Sequence, residues 1–240
     1  GKWTEIHPYK TREGGATVTV FVPYNCLNNC PFCINKAEYE NPEGFSADKI
    51  CESIRRMDAI TPYCDFVFTG GEPFADLNVL QQMLDEIPKT HKVYINTTLP
   101  VSKFQTEDDI VRFTEKNKDK ITCINVSRHM QHYVVESNDG LLKRLAVPFR
   151  INCVLYKDYP KQDMIPYLER FRLIPGASIQ FRFDYTETTP ENLYETEHDK
   201  ILGDLKKIAD YRGLDGCRMR CGFHFDYKGL PLTYHKTLPY

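Results

Sequence analysis

Three cysteines, Cys26, Cys30 and Cys33, lie close together in the sequence Cys-Leu-Asn-Asn-Cys-Pro-Phe-Cys. A Cys-x3-Cys-x2-Cys loop supplies three thiolates, one fewer than the four that usually hold an iron–sulfur cluster. Three soft sulfur ligands leave one iron of such a cluster without a protein ligand, so a substrate or cofactor can bind there. The loop therefore predicts an open cluster with these three cysteines as its ligands.

A structural zinc ion is the alternative occupant of this loop. Structural zinc sites usually close with four ligands in paired spacings. The loop offers no obvious fourth ligand, so His7 or a residue of the tail would have to fold back to it. The spacing favours iron–sulfur chemistry over zinc.

A second motif, Thr69-Gly70-Gly71-Glu72-Pro73, stands downstream of the cysteines. Two glycines allow the backbone to approach a ligand closely, and the Glu72 carboxylate is an acceptor suited to an ammonium group. Taken alone, the motif is more typical of a tight turn. Its place after a predicted strand, downstream of the cysteine loop, favours a binding role.

Together the two motifs resemble the signatures of the radical S-adenosylmethionine (radical SAM) enzyme superfamily, which often has an aromatic residue, here Phe32, before the third cysteine. The resemblance covers about residues 16–185. It implies that the amine and carboxylate of S-adenosylmethionine (SAM) chelate the open iron. One electron then cleaves SAM to methionine and a 5′-deoxyadenosyl radical that abstracts hydrogen. The resemblance also implies that Gly70, Gly71, Glu72 and Pro73 hold the methionine amino group.

The ends of later strands supply further cofactor-binding candidates through the same resemblance. Family members place hydroxyl or amide groups there, against the ribose and the methionine carboxylate. The matching residues are Asn96, Thr97, Ser127 and Arg128, with Asn152 near the nucleoside. Arg128 could supply the counter-charge of the carboxylate. Each of these side chains also fits an ordinary polar group at a strand end or a helix cap.

The remaining cysteines fall into two groups. Cys51, Cys64, Cys123 and Cys153 stand singly in helix or strand patterns, where a small buried hydrophobe is expected. Cys217 and Cys221 lie in a tail that also contains Arg218, Arg220, His224 and His235. These two thiols are candidates for catalytic hydrogen-atom donors, for ligands of a second cluster, or for neither role.

The elements that position these motifs alternate between apolar β-type runs and helical periodicity, which is typical of βαβ units around a parallel sheet. The predicted strands are Ala16–Val22, Asp65–Phe68, Lys92–Asn96, Ile121–Val126, Phe149–Leu155 and Ser178–Phe183. The predicted helices begin at caps Ser46, Asp76 and Thr106 and continue with Gly140–Ala146, Asp163–Arg172 and Glu197–Tyr211. The fold class is α/β. The six βα units predict a partial (β/α)6 TIM-type barrel, which the resemblance also implies. The cysteine loop would lie at its C-terminal rim.

We predict one domain, with the barrel core in residues 1–185 and the last helix and a C-terminal extension in residues 186–240. Apolar residues alternate on both sides of Lys228-Gly229, which predicts a β-hairpin that closes one end of the barrel. An irregular packed tail is the alternative. Strand six has alternating polar residues at Gln180, Arg182 and Asp184. If these side chains point into the barrel, its polar interior would suit a charged or hydrogen-bonding substrate. If strand six is instead an exposed edge strand, the same pattern implies no substrate.

The bulk composition limits the function classes. A net charge of -2 argues against strong nonspecific binding to nucleic acid or anionic membrane. Nine cysteines without an apolar spanning run or an export signal favour a reducing, cytoplasmic location.

The predicted function is SAM cleavage followed by hydrogen abstraction from a small-molecule or nucleotide-like substrate, with flavodoxin or ferredoxin as electron donor. Modification of a macromolecule, by glycyl-radical activation, peptide maturation or nucleic-acid base modification, is the alternative substrate class. A non-enzymatic Fe–S redox sensor or electron carrier is the alternative of another kind. Such a protein would be expected to carry a fourth cysteine ligand, and Gly-Gly-Glu-Pro would have no role in it.

Overall fold

The computed structural model describes residues 17–22, 26, 28–33, 46–132, 134, 136–155, 159–183, 197–214 and 222–235. The strands are β1 (Thr17–Val22), β2 (Asp65–Gly70), β3 (Val93–Thr97), β4 (Cys123–Ser127), β5 (Phe149–Leu155), β6 (Ile179–Phe183), β7 (Asp210–Leu214), β8 (Gly222–Tyr227) and β9 (Leu230–His235). The helices are α1 (Ala47–Ile60), α2 (Leu77–Asp85), α3 (Glu107–Lys116), α4 (Asp139–Leu142), α5 (Met164–Arg172) and α6 (Glu197–Ile208), with 3₁₀ turns at Pro73–Ala75 and Lys161–Asp163. This alternation confirms the α/β class, and each predicted strand is present.

The chain forms two compact units. The first comprises the described residues within Gly1–Asn29, Cys33–Asn125 and Val135–Pro148, and the second those within Cys30–Phe32, Val126–Val134 and Phe149–Tyr240. In the first unit the strand order is β1-β2-β3-β4, and β2 pairs in parallel with β1 and β3. In the second unit the order is β5-β6-β9-β8-β7. The partial barrel and the division at residue 185 stay predictions.

The three predicted helix caps are confirmed. The Ser46 hydroxyl accepts a hydrogen bond from the Lys49 N–H, and Asp76 Oδ1 accepts from the N–H groups of Asn78 and Val79. Thr106 and Asp109 form a reciprocal capping box. Each cap satisfies backbone donors that the first helical turn leaves without partners.

The core of the first unit is built on β2 and β3, where Phe66, Phe68, Val93 and Ile95 are fully buried. Parallel strands that are covered by helices read as apolar runs for this reason. The four single cysteines are also buried as predicted: Cys51, Cys64, Cys123 and Cys153. Burial raises the pKa of the Cys153 thiol to about 12, so this thiol stays protonated and unreactive at neutral pH.

The predicted hairpin is confirmed, with β8 and β9 joined at Lys228–Gly229. Its second strand, β9, pairs in parallel with β6, so the hairpin extends the sheet of the second unit. Glu169 on α5 holds the turn end, because its carboxylate accepts hydrogen bonds from Tyr227 Oη at 2.7 Å and Lys228 Nζ at 3.3 Å. The hydrogen bonds from Tyr227 and Arg172 lower the pKa of Glu169 to about 2. Closure of a barrel by the hairpin stays a prediction.

Two predicted helices are shorter than the sequence pattern indicated. α6 ends at Ile208, and Tyr211 belongs instead to β7, where it pairs with Phe225 in an antiparallel ladder. Pairing with a distant strand outweighs local helical periodicity here. The predicted helix Gly140–Ala146 is a single turn, Asp139–Leu142, and beyond this turn the Ala146 N–H donates to the Thr114 hydroxyl. Within the described ranges, no helix is long and apolar enough to cross a membrane.

Candidate functional site

The thiols of Cys26, Cys30 and Cys33 are half-buried and reduced. Both the backbone N–H and the side-chain amide of Asn28 donate to Cys26 Sγ, each at 3.4 Å. Burial raises the pKa of the Cys26 thiol, the Asn28 bonds lower it, and the charges of Glu72 and Cys33 raise it further. Cys26, Cys33 and Glu72 all belong to the first unit.

This donor set fits an iron–sulfur cluster. Thiolates are the ligands that such clusters use, and hydrogen bonds to their sulfurs tune the reduction potential. The two N–H donors on Cys26 provide that kind of bond. No three Cys, His, Asp or Glu side chains among the described residues are arranged to hold one metal ion. A [4Fe–4S] cluster does not require such an arrangement, because each cysteine binds a different iron atom of the cluster.

Gly70 is required by the neighbouring strand. Its φ is +109°, and a Cβ at this position would lie 2.8 Å from both the N and the O of Val22 at the end of β1. No other residue type fits such an approach without a backbone shift. The glycine predicted to bring the backbone close to a ligand therefore brings β2 close to the strand that leads into the cysteine loop. Pro73 begins the 3₁₀ turn that follows and is buried.

The Glu72 carboxylate joins the ends of β2 and β3. Its Oε1 accepts from the Phe74 N–H at 2.9 Å and from the Thr97 hydroxyl in a short hydrogen bond. Its Oε2 accepts from the N–H of Thr98 at 3.0 Å and from the Thr98 hydroxyl at 3.1 Å. Only 5% of the residue is exposed, and burial raises the pKa of Glu72 although these hydrogen bonds oppose the change.

The same carboxylate braces a strained turn. Leu99 is fully buried and has a φ of +53°, a region that bulky side chains rarely adopt. Its N–H donates to the Thr97 hydroxyl at 2.9 Å, and that hydroxyl donates to Glu72. Strained residues persist only where their surroundings over-determine them. Glu72 is therefore a positioning residue for the loop after β3.

This bracing role bears on the predicted contact with the methionine amine. A carboxylate has about four acceptor positions, and four donors of the protein already use them. An ammonium group would have to share or displace one of these donors. The amine contact of Glu72 stays a prediction, whereas its structural contacts are observed.

Two further predicted residues are engaged within the first unit. The Thr97 hydroxyl lies between Glu72 and Leu99 and is almost fully buried. Asn96 Oδ1 accepts from Asn125 Nδ2 at 2.8 Å, which links the end of β3 to the middle of β4. The structure thus brings Asn96 and Thr97 to the same strand end as expected.

In the second unit, Phe32 of the cysteine loop packs against His129. The two rings meet edge to face, with centroids 4.9 Å apart. The Val154 N–H donates to His129 Nδ1 at 3.0 Å, so the neutral ring carries its proton on Nε2. Burial, together with the charge of Arg128, lowers the pKa of His129 to about 4. His129 was not predicted, although it directly follows Arg128 at a strand end, where the sequence already placed candidates.

The predicted residues Ser127, Arg128 and Asn152 come together where the end of β4 meets the middle of β5. The Arg128 N–H donates to the Asn152 carbonyl at 3.0 Å, and Arg128 Nη1 donates to the Ser127 carbonyl at 2.8 Å. Tyr167 on α5 donates to the Arg128 carbonyl at 2.7 Å. Arg128 is fully buried, and Asn152 Oδ1 is a buried acceptor for which the described residues provide no donor.

Some predicted site residues cannot be placed. Cys217, Cys221, Arg218, Arg220 and Asp184 lie outside the described residues. The roles suggested for the two thiols stay predictions.

Residues 13–131 match the model of a family described as a 4Fe-4S single cluster domain, which is associated with radical SAM proteins. The matched range includes all three loop cysteines, the Gly-Gly-Glu-Pro motif and the end of β4. The chain contains a 4Fe–4S cluster domain. The predicted 4Fe–4S cofactor is supported at the level of a cluster domain, while the three cysteine ligands and SAM binding stay predictions. No curated protein matches the chain.

Replacing His129 with glutamine is expected to reduce the dependence of the free energy of unfolding on pH at acid pH. The pKa of His129 falls from 6.5 to about 4 on folding, so its neutral form stabilises the protein above pH 6.5. That contribution, up to about 3 kcal/mol, is lost as the pH falls through about 4. Urea unfolding of wild type and His129→Gln between about pH 7 and about pH 4 measures it.

His132→Gln provides the matched control, because it makes the same substitution at an exposed side chain and removes no buried imidazole. Identical slopes for wild type and His129→Gln would contradict the burial of a neutral His129.

Proposed function

We propose that this protein is a radical SAM enzyme that binds a [4Fe–4S] cluster through Cys26, Cys30 and Cys33 and cleaves SAM reductively. The observation that carries the proposal is the three-cysteine loop inside the matched cluster domain. The other cysteines of that range, Cys51, Cys64 and Cys123, are buried within α1, before β2 and in β4. An iron without a cysteine ligand is the requirement for SAM chelation.

The cluster and SAM, when bound, supply an electron, a breaking carbon–sulfur bond and a carbon-centred radical that abstracts hydrogen from the substrate. The chain's own residues hold and orient these groups. Asn28 supports the negative charge on Cys26 through two N–H donors. Glu72 fixes the loop after β3 through Thr97 and Thr98. In this proposal, Arg128 offers the counter-charge for the methionine carboxylate.

An electron carrier or redox sensor is the second candidate function, and one observation favours it. The Glu72 carboxylate has a complete set of protein donors, so Gly-Gly-Glu-Pro has a structural role even without SAM. The three-ligand loop argues against it, since four thiolates usually hold a cluster that only transfers electrons.

The remaining parts of the proposal concern partners. Reductive cleavage requires an electron donor, for which flavodoxin or ferredoxin is the proposed class. The proposed substrate is a small molecule or nucleotide-like compound. A glycyl-radical enzyme, a peptide or a nucleic-acid base is the alternative substrate class.

SAM cleavage separates the two candidate functions. Anaerobically reconstituted protein, reduced with dithionite and given SAM, is expected to form 5′-deoxyadenosine and methionine, which liquid chromatography measures. The control omits dithionite and should form neither product. Protein that carries a full cluster and yields no 5′-deoxyadenosine would favour the carrier or sensor.

A further inference from the structure

The loop after β3 in the first unit displays an exposed phenylalanine. Phe104 is 86% exposed, whereas Phe66, Phe68 and Phe74 in the core of the same unit are fully buried. Val101, in the same loop, is 43% exposed. Apolar side chains that are exposed together, rather than singly, indicate an interaction surface.

The loop holds these side chains on a fixed backbone. Ser102 and Gln105 exchange two backbone hydrogen bonds, of 2.9 and 3.2 Å. Gln105 is buried, and its Nε2 donates to the Pro100 carbonyl at 2.6 Å. The Phe104 N–H donates to the Ser102 hydroxyl at 3.2 Å. We refer to residues 100–105 as the tab. Because these bonds already order its backbone, a partner that binds the tab loses little free energy to the ordering of the loop.

Lys103 supplies the charge of the tab. Its Nζ lies 4.8 Å from the centroid of the Phe104 ring, and within the described part of the chain Lys103 makes no ion pair. The carboxylates of the helical turn that follows are already paired with arginines: Glu107 and Asp108 with Arg144, and Asp109 with Arg112. The tab thus combines apolar surface with one positive charge.

The tab follows the edge of the sheet at which β1 leads into the cysteine loop. Val22 at the end of β1 pairs with Gly70 at the end of β2, and β3 pairs in parallel with β2 on its other side. Neighbouring strands lie about 4.8 Å apart, so the end of β3 lies about 10 Å from the end of β1. A protein that gives an electron to the proposed cluster has to dock at a distance as short as this.

The size and chemistry of the tab suit a transient partner. Redox encounters have some of the smallest protein interfaces, below about 1,200 Å² of buried surface. In such an interface one buried aromatic residue can supply much of the affinity, and a charge beside it raises the association rate. An electron donor must dissociate after each transfer, so a small contact of this kind fits a donor better than a permanent partner.

We propose that the tab is the docking contact of the electron donor, an acidic flavoprotein of the flavodoxin type. This inference rests on the proposed function, because reductive cleavage of SAM requires such a donor. Phe104 and Val101 contact the apolar edge of the flavin, and Lys103 lies against carboxylates around it. The anionic reduced flavin gives one electron to the oxidised cluster, and no proton moves in this step.

Stopped-flow mixing tests the tab on cluster-loaded protein without SAM. The probe is a reduced flavodoxin of net negative charge, and the absorbance of its flavin follows the electron transfer. Phe104→Ala should lower the second-order rate constant at least about tenfold, because it removes the central apolar contact. Dithionite is small and needs no docking surface, so it should reduce the variant and the wild type at the same rate.

Ile60→Ala is the matched control. Ile60 ends α1 in the same unit and is 72% exposed, so its replacement also removes an exposed apolar side chain and should leave the flavodoxin rate unchanged. No transfer to the wild type, equal rates for wild type and Phe104→Ala, or equal losses in both variants would each overturn the proposal. Slower reduction of Phe104→Ala by dithionite would also overturn it, since the substitution would then act on the cluster.

A second copy of this chain is the rival occupant of the tab. Sedimentation of the wild type as a dimer and of Phe104→Ala as a monomer would assign the tab to that contact and overturn the proposal. A monomeric wild type at the concentrations of the stopped-flow experiment supports docking of the donor.

Reversal of the charge on Lys103 gives an independent measurement. Lys103→Glu should lower the flavodoxin rate at low ionic strength, and its difference from the wild type should shrink as salt screens the attraction. Lys89→Glu makes the same change of charge at an exposed lysine before β3 and should have a smaller effect. An equal effect of both substitutions, or a loss that persists at high salt, overturns the contact of Lys103 with the donor.

The flavodoxin experiment and the SAM-cleavage assay fail independently, because the assay uses dithionite. A protein that takes electrons from flavodoxin through the tab and forms no 5′-deoxyadenosine would refute the proposed function and leave the docking contact in place. A protein that cleaves SAM with dithionite, while Phe104→Ala accepts electrons at the wild-type rate, would refute the role of the tab alone.

Discussion

Alanine in place of Cys26, Cys30 or Cys33 is expected to remove the [4Fe–4S] cluster, and with it all formation of 5′-deoxyadenosine. Three thiolates already leave one iron open, so the loss of another leaves two irons without protein ligands. Two remaining bonds cannot hold the cluster against exchange with solvent thiols. Iron and sulfide analysis of the anaerobically reconstituted variants, with electron paramagnetic resonance of the reduced proteins, measures the loss.

Cys51→Ala provides the control for this experiment. Cys51 is a buried thiol of α1, outside the loop, so its replacement should lower stability by about 1 kcal/mol through a small cavity and leave the iron content intact. Full iron content in Cys30→Ala would contradict the assignment of the loop. Loss of iron from Cys51→Ala, but not from the loop variants, would show that Cys51 rather than the loop supplies a cluster ligand.

The features of the fold that the sequence predicted are those with local causes. Ser46, Asp76 and Thr106 cap helices because each places an oxygen next to backbone donors two or three residues away. The strand Phe149–Leu155 has the predicted bounds, since its side chains alternate between buried and half-buried along the whole run. Such signals are contained within a few residues, so a single sequence is enough to read them.

The features that escaped prediction depend on pairing between distant segments. Tyr211 continues a helical pattern, yet its ring packs on Phe225 in the ladder of β7 and β8. The sequence favoured a hairpin, but nothing local showed that β9 would pair with β6. Loop closure and strand pairing of this kind are decided by the whole fold.

The same distinction between local signals and contacts between distant segments applies to the candidate site. The three cysteines carry their chemistry in their spacing, and a 4Fe–4S cluster domain is present where they stand. Two partners of Glu72, Thr97 and Thr98, lie at and just after the end of another strand, so the motif alone could not reveal them. Likewise, the sequence alone could not show that the nearby backbone of Val22 requires a glycine at position 70, whereas the predicted role of Gly70 toward a ligand stays a prediction.

Glu72→Ala is expected to destabilise the protein before any cofactor binds. The substitution leaves the buried N–H groups of Phe74 and Thr98 without an acceptor. At about 1–3 kcal/mol for each buried donor, the free energy of unfolding should fall by at least about 2 kcal/mol. The strained backbone at Leu99 would also lose the support that reaches it through Thr97. Urea unfolding of the protein without SAM measures the effect.

Glu72→Gln is a sharper probe of the same contacts. Each carboxylate oxygen receives one backbone N–H, and such a donor cannot reverse its role. The amide group of glutamine therefore opposes one of these donors in either orientation, at a cost of about 1–3 kcal/mol. Protonation of Glu72 would not create this conflict, because both oxygens of the neutral carboxyl group can still accept hydrogen bonds from these N–H groups. Glu52→Gln, on an exposed part of α1, should change stability by less than about 0.5 kcal/mol.

SAM affinity then separates the bracing role of Glu72 from the predicted amine contact. If Glu72 also accepts a charge-assisted hydrogen bond from the methionine amine, the affinity of folded Glu72→Gln for SAM should fall about 10- to 150-fold. Calorimetric titration with SAM measures this on protein whose cluster spectrum is intact. Lower stability with unchanged affinity would leave Glu72 as a brace between β2 and β3. Unchanged stability of Glu72→Gln would contradict the bracing role itself. In that variant, one of the two oxygens that accept from the four protein donors would have been lost without any cost in stability.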